Sequence, residues 1–297
     1  MKVVLFILLI ISAIKINANE AKKVIIVNQK DLQPISYAII SFYETDTLVG
    51  GIYANVDGIF SLKLAEKINS LKFSCVGYKT KCCPISSNFP DTIMLEPVNY
   101  NIQEIVVNPK TGSNTIELGY IKKSSLKAYG SSRKNTEFAV FIPNKTGKNA
   151  MIKTLLYKLR QDSDVKTALR VHIYSIAENG FVPGKELIPI NKVLYLEGKH
   201  PMSKVVSFDV SDLGIVLPVE GIFVGLEWIG LVNENEMYKK GSIENIPYIL
   251  TTNLIDEKVS FTKGYFTKDM WKIFDSQSKD KGEKNQNFAF GLEAIEY

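Results

Sequence analysis

Catalysis near neutral pH usually relies on a titratable group held against a partner, and imidazole is the commonest choice. The sequence holds two histidines, His172 and His200. His172 lies between Val171 and Ile173, inside an alternating run that reads as a strand, so a structural role is preferred for it. His200 precedes Pro201 and reads as a loop residue. No HExxH, GxSxG or GxxxxGKS/T spacing occurs anywhere. Gly112, Gly130 and Gly147 are isolated turn glycines. Glycoside hydrolysis needs only two carboxylates, about 5–9.5 Å apart. Glu227, beside Trp228, is the first to consider. Alternation turns Glu227 away from Leu226 and Trp228, toward the other side of its sheet, and no partner is identifiable. An exposed or salt-bridged strand carboxylate is the preferred reading. No catalytic, cofactor-binding or metal-ligating residue is assigned, and no cofactor is expected.

The three cysteines are Cys75, Cys82 and Cys83. An odd number in an exported chain leaves at least one thiol free. Cys75 alternates inward with Leu71 and Phe73 and reads as a small buried hydrophobe. Cys82 and Cys83 are neighbours on a strand and point to opposite faces. One of them can bridge to Cys75 if the two strands pair. A metal site is disfavoured, because both histidines are remote and no CxxC spacing exists.

Sugar binding by a β-sandwich rests on planar rings that stack on pyranoses, with polar side chains that fix the hydroxyls. Tyr265, Phe266 and Trp271 form one aromatic segment, with Lys263, Lys268 and Lys272. Tyr238, Lys239 and Lys240 form another. Trp228 lies in an apolar run and reads as core. Trp271 is the more accessible tryptophan, although Met270 and Ile273 beside it argue equally for burial.

The elements that must carry these residues are strands. From Lys23 to Val107 short apolar runs alternate with turn residues: Val24–Val27, Ala38–Tyr43, Leu48–Ala54, Phe60–Leu64, Leu71–Val76, Tyr78–Ile85, Thr92–Leu95 and Ile105–Val107. Asn55-Val56-Asp57-Gly58 between two such runs predicts a hairpin turn. Residues 108–114, polar and holding both Pro109 and Gly112, mark a linker. Beyond it the runs are longer: Phe138–Ile142, Leu169–Tyr174, Val205–Val210, Ile222–Leu231, Tyr248–Leu250, Val259–Phe261 and Phe288–Ile295. Met151–Leu159 fits a helical stripe or a strand and is assigned as a strand from its neighbours. Gly119–Glu137, Glu178–Lys185 and Asn233–Pro247 read as long surface connections, where specificity usually resides. Ser276–Asn287 reads as a solvated loop.

The chain has 297 residues, 45% of them hydrophobic and 23% charged, which excludes a coiled coil or a disordered tail. Met1-Lys2 precedes an apolar run, Val3–Ile14, broken only by Ser12. Twelve residues fall short of the roughly 20 that span a bilayer. Ala18 and Ala21 follow as small cleavage-type residues, so residues 1–18 read as a secretory leader. No cysteine near them supports lipid attachment, and no second long apolar run follows. The net charge of +5 falls to +3 once Lys2 and Lys15 leave with the leader. Nucleic acid is therefore a poor partner.

Two stretches carry a resemblance. Pro34-Ile35 with Ala38–Phe42, then Asn55-Val56-Asp57-Gly58-Ile59-Phe60-Ser61-Leu62, Leu71–Tyr78 and Ile102–Val107 resemble the carboxypeptidase-like regulatory domain. That family is a transthyretin-like sandwich at the N-terminus of many exported Bacteroidetes proteins. Its first strand bears a glycine that Asn28-Gln29-Lys30-Asp31 lacks. Leu169–Ser175, Val182–Leu187, Phe208–Leu213 and Gly221–Trp228 are similar to the C-terminal half of two-domain Bacteroidetes proteins, with a jelly-roll sandwich of the kind carbohydrate-binding modules use. The resemblance implies an all-β protein with a domain at 23–107 and another at 115–297. It implies an adaptor followed by a binding module, with no peptidase or transport barrel. The expectation is an exported, non-catalytic envelope protein that engages a glycan or a protein. A hydrolase, or a purely structural assembly component, is the alternative.

Overall fold

A computed structural model describes residues 22–62, 67–98, 114–122, 127–129, 136–162, 164–232, 247–264, 266, 270–275 and 284–296. The leader at 1–18, the strand at 105–107, the turn glycines Gly112 and Gly130, the linker up to residue 113 and the connection 233–246 lie outside them. So do Tyr238, Lys239, Lys240, Tyr265 and Lys268. The described chain is all-β, with one 3-10 turn at Ser211–Leu213. No described helix is long and apolar enough to cross a membrane.

The first seven strands are β1 (Lys22–Asn28), β2 (Ile39–Glu44), β3 (Thr47–Tyr53), β4 (Ile59–Leu62), β5 (Ser70–Ser74), β6 (Lys81–Pro84) and β7 (Thr92–Leu95). They form two sheets, β4-β1-β7 and β3-β2-β5-β6. Alternation aims one row of each sheet at the other. Ile26, Phe60 and Ile93 from the first sheet pack with Ile40, Leu71 and Phe73 from the second. β1 pairs antiparallel with β4 and parallel with β7.

The turn at Asn55–Gly58 forms as its residues dictate. Gly58 adopts φ +70°, and the Ile59 amide donates to Asn55 Oδ1 at 2.7 Å. It does not make a hairpin, however. β3 and β4 belong to different sheets, so the turn carries the chain from one sheet to the other. A Cβ on Gly58 would lie 2.6 Å from the Ile26 carbonyl oxygen, which fixes glycine there by close approach as well as by φ.

The remaining strands are β8 (Thr115–Gly119), β9 (Lys127–Tyr129), β10 (Thr136–Ile142), β11 (Ala150–Gln161), β12 (Lys166–Ala177), β13 (Gly180–Glu186), β14 (Val193–Leu196), β15 (His200–Asp209), β16 (Val216–Leu217), β17 (Ile222–Val232), β18 (Tyr248–Thr252), β19 (Ser260–Gly264), β20 (Lys272–Ile273), β21 (Asn287–Phe288) and β22 (Phe290–Glu296). One sheet runs β13-β12-β17-β10-β19-β20, with β14 added beside β12. The other runs β21-β18-β11-β22-β8, with β15 and β16 on β11 and β9 on β18. Their inner rows meet in one core. Phe138, Val171, Leu226 and Trp228 face Leu155, Tyr157, Phe290 and Leu292. Tyr157 ties the layers together, its hydroxyl donating to the Gly225 carbonyl at 2.9 Å.

Met151–Leu159 is strand, as its neighbours suggested, and Trp228 is core. Two expected connections are regular instead. Glu178–Lys185 is no long loop, because β12 turns directly into β13. His200 begins β15, opposite Gln161. The cysteines stay free, with Cys75 buried, Cys82 exposed and Cys83 between. β5 and β6 do pair, but Cys82 faces Lys72 across the ladder, not Cys75. Three residues of strand amount to about 10 Å, beyond the roughly 7 Å that a disulfide tolerates between Cα atoms.

Candidate functional site

The outer face of the β12–β17–β10–β19 sheet carries a row of charges set by register. Arg170 on β12 sits opposite Glu227 on β17, Glu227 opposite Glu137 on β10, and Glu137 opposite Lys263 on β19. Four adjacent strands thus hold a cation, two carboxylates and a cation in line, one strand spacing of about 4.8 Å apart. Such a face is normally wet. Here Glu137, Arg170, His172 and Glu227 are at most 1% exposed, because other parts of the chain cover them.

Over Arg170 and Glu227 the cover comes from the N-terminal part of the chain. Tyr37, Ile39 and Tyr53 pack on Ala168 and Ile229, with Phe266 at the margin. Arg170 Nη2 donates to the Tyr37 carbonyl at 2.6 Å. Asn191 Nδ2 donates to the Ser36 carbonyl at 2.8 Å, while Arg170 Nε donates to Asn191 Oδ1 at 2.8 Å. The Tyr53 hydroxyl donates to Glu227 Oε1. Arg170 is therefore bound on both sides of the junction.

Glu227 is the hub. Arg170 Nη1 donates to its Oε2 at 2.8 Å, and His172 Nε2 lies 3.2 Å from the same oxygen. The other ring nitrogen, Nδ1, lies 2.5 Å from Glu186 Oε2 on β13. Burial alone would raise the Glu227 pKa, but Arg170, then His172 and Tyr53, outweigh it and hold the group at about 2. Burial alone would lower that of His172. Glu137 and Glu186, with the hydrogen bonds from the ring to Glu186 and Glu227, outweigh this and lift it to about 10. At neutral pH the ring is an imidazolium that donates from both nitrogens. Glu137 is pushed up by burial, against the pull of His172 and Lys263, and its Oε1 accepts the Tyr174 hydroxyl. Lys263 Nζ stands 4.0 Å from Glu137 Oε2.

Glu227 is thus the salt-bridged carboxylate among the two expected alternatives, and it is sealed. His172 lies inside a strand, as its alternation suggested, with its ring buried between Glu186 and Glu227. Neither Glu186, the partner of His172, nor Arg170, the partner of Glu227, nor the neighbour Glu137 was singled out from the sequence. Lys263 was noted only for its place near aromatics. Trp271 is half-buried, edge-on to Tyr174 at 5.8 Å with Lys263 Nζ 5.3 Å from its ring centre. Trp228 and Trp271 are therefore on opposite faces of one sheet and share no site. Cys75 lies near the same junction, and burial pushes its thiol up to about 11, so it is an inert packing group. No group of His, Cys, Asp and Glu among the described residues could hold a metal ion.

Beside this junction opens a cleft of about 590 Å³, lined by residues from 34–36, 77–78 and 97–98 and by residues from 189–195. Gly77, at φ +88°, lines it where the two sets of residues meet at Pro189. A Cβ there would lie 2.7 Å from the Pro189 carbonyl oxygen, so only glycine allows this approach. Tyr78 from the N-terminal part and Tyr195 from β14 both line the cleft, as does Asn191.

No family model and no curated protein matches the chain. Among solved structures, those of infectious bursal disease virus strains Gt and Gx are similar at 12% and 11% identity, with TM-scores of 0.23 and 0.24. Each alignment covers 88% of this chain, which spans 57% and 55% of the length of the two viral chains. A likeness of that order carries no inference about fold family or activity.

Proposed function

We propose that the chain is an exported, non-catalytic binding protein of the cell envelope. In this reading residues 1–18 are a cleaved leader and 23–107 a transthyretin-like adaptor of the carboxypeptidase-like regulatory type. Residues 115–297 are a jelly-roll-like module that engages a glycan or an envelope protein. The observation that carries it is the fate of the acid–base groups. Glu227 and His172, side chains suited to proton transfer, are held with Arg170 in a sealed junction. A general acid or base must reach the proton it moves, directly or through one water. These groups have no exposed surface with which to do so. Their arrangement suits a rigid coupling between adaptor and module.

The test is turnover against retention. The processed chain is incubated with chromogenic glycosides and peptides, and separately applied to a glycan array and to detergent-solubilised envelope protein. Retention without turnover is expected. Hydrolysis that Glu227→Gln abolishes, in a variant that still folds, overturns the reading.

A further inference from the structure

The geometry points to the cleft beside the junction as a binding site for a short, neutral saccharide. This rests on the non-catalytic binding reading and names its ligand and its place. Three features of the lining carry it.

The first is charge. None of the described lining residues is Asp, Glu, Lys, Arg or His. In a chain that is 23% charged, a cleft of this size without an ionisable acid or base favours an uncharged occupant. Asn191 lines the cleft and accepts from the Arg170 guanidinium, which is itself paired with Glu227.

The second is the walls. Tyr78 comes from the N-terminal strands and Tyr195 from β14, with Tyr195 37% exposed. Lys166 Nζ lies 4.7 Å from the Tyr195 ring centre and helps to hold that ring in place. A pair of rings with phenolic tips offers apolar faces for the C–H side of a pyranose and hydroxyls for its rim. The volume falls within the range of about 300–1,000 Å³ usual for small-ligand pockets.

The third disfavours a peptide strand. Pro34, Pro97 and Pro189 all line the cleft. Proline has no backbone N–H, so at these three positions the walls offer no ladder donor to an incoming chain. Side chains and ring faces therefore carry more of the recognition, as they do for a sugar.

The site is also composite. Neither set of strands encloses it alone, and the Arg170–Asn191–Ser36 bonds fix the distance between its walls. The buried ion pairs thereby gain a role in binding that they lack in chemistry.

The experiment uses the full processed chain on an array of neutral hexose and pentose oligosaccharides, printed beside sialylated, sulfated and uronate-bearing ones. Hits are titrated by calorimetry. Binding to neutral oligosaccharides is expected, weakened about tenfold by Tyr78→Ala and by Tyr195→Ala and by less in Tyr78→Phe. Ile190→Lys, at an exposed rim position, is the control least prone to unfold, and it should weaken binding comparably at an unchanged melting temperature. Retention of acidic glycans alone, neutral binding indifferent to all four substitutions, or no neutral glycan retained each overturns the assignment. Those outcomes leave the non-catalytic reading standing, since that one fails on turnover.

Discussion

Glu227 shows how much one buried carboxylate depends on its neighbours. Desolvating two charges costs several kcal/mol per ion, and only close geometry with full hydrogen bonding offsets it. Here the carboxylate accepts from Arg170, His172 and Tyr53 at once. Arg170→Met would leave it facing a reduced partner set in a dry site. The expected loss is about 3–5 kcal/mol in urea unfolding. Arg170→Met combined with Glu227→Leu should recover a large part of that, because the uncompensated charge is then gone. A single-variant loss below about 1 kcal/mol would mean that the pair is hydrated and not sealed. The direction in which Glu227 points was legible, since Leu226 and Trp228 had to face the core. Its partner was not. Arg170 is 57 residues away, and the opposition depends on a register shift between Ala168 and Leu169 that no local pattern encodes.

At the scale of the strand, the informative position is Gly225. A glycine in a strand interior weakens it unless something must come close. It sits opposite His172, and a Cβ there would meet His172 Cβ at 3.0 Å and Tyr174 Cε2 at 3.2 Å. The imidazole and phenol rings, stacked at 5.4 Å, lie beside that gap, and from there the imidazole reaches Glu227. Gly225→Val should therefore destabilise by about 1–3 kcal/mol, through overcrowding and through displacement of the ring from Glu227. Thermal unfolding would read this, and an unchanged melting temperature would show that the face has room for the added methyl groups. The same scale explains what the sequence could and could not give. Period-two alternation located many of the strands, whereas Met151–Leu159 was decided by its neighbours. The Asn55–Gly58 turn was recognisable from its residues, but where it led was not. Whether two strands joined by a tight turn pair or part depends on their other neighbours, and β1 claims β4. The alternation in β12 implied a wet polar face. That face is covered by strands more than a hundred residues earlier, which local sequence does not reveal.

At the scale of the whole molecule, the junction ties stability to pH. The His172 pKa rises from the ordinary 6.5 to about 10 on folding. Its contribution is therefore fully present below 6.5 and is lost as pH climbs through about 10. The Glu227 pKa falls from 4.5 to about 2, so its contribution is complete above 4.5 and is lost as pH drops through about 2. Glu137, raised by burial, acts in the same sense as His172 and favours the folded state toward lower pH. The junction should accordingly be firmest between about pH 4.5 and 6.5 and weaken on both sides. Because Tyr53 and Tyr37 reach across to these groups, that weakening bears on how the N-terminal strands hold to the C-terminal sheets. Urea midpoints measured from pH 3 to pH 10 should decline along the alkaline limb above about 6.5. His172→Gln should lower the midpoint at pH 6 and flatten that limb, since glutamine has no proton to lose. An alkaline limb that persists unchanged in His172→Gln would assign it to other groups and remove the imidazolium from the coupling. In the wild-type chain at pH 6, both sets of strands should unfold in one transition. At pH 10, where the imidazolium is half lost, the N-terminal set should separate first. Limited proteolysis across that range would detect the separation as cleavage confined to residues before β8.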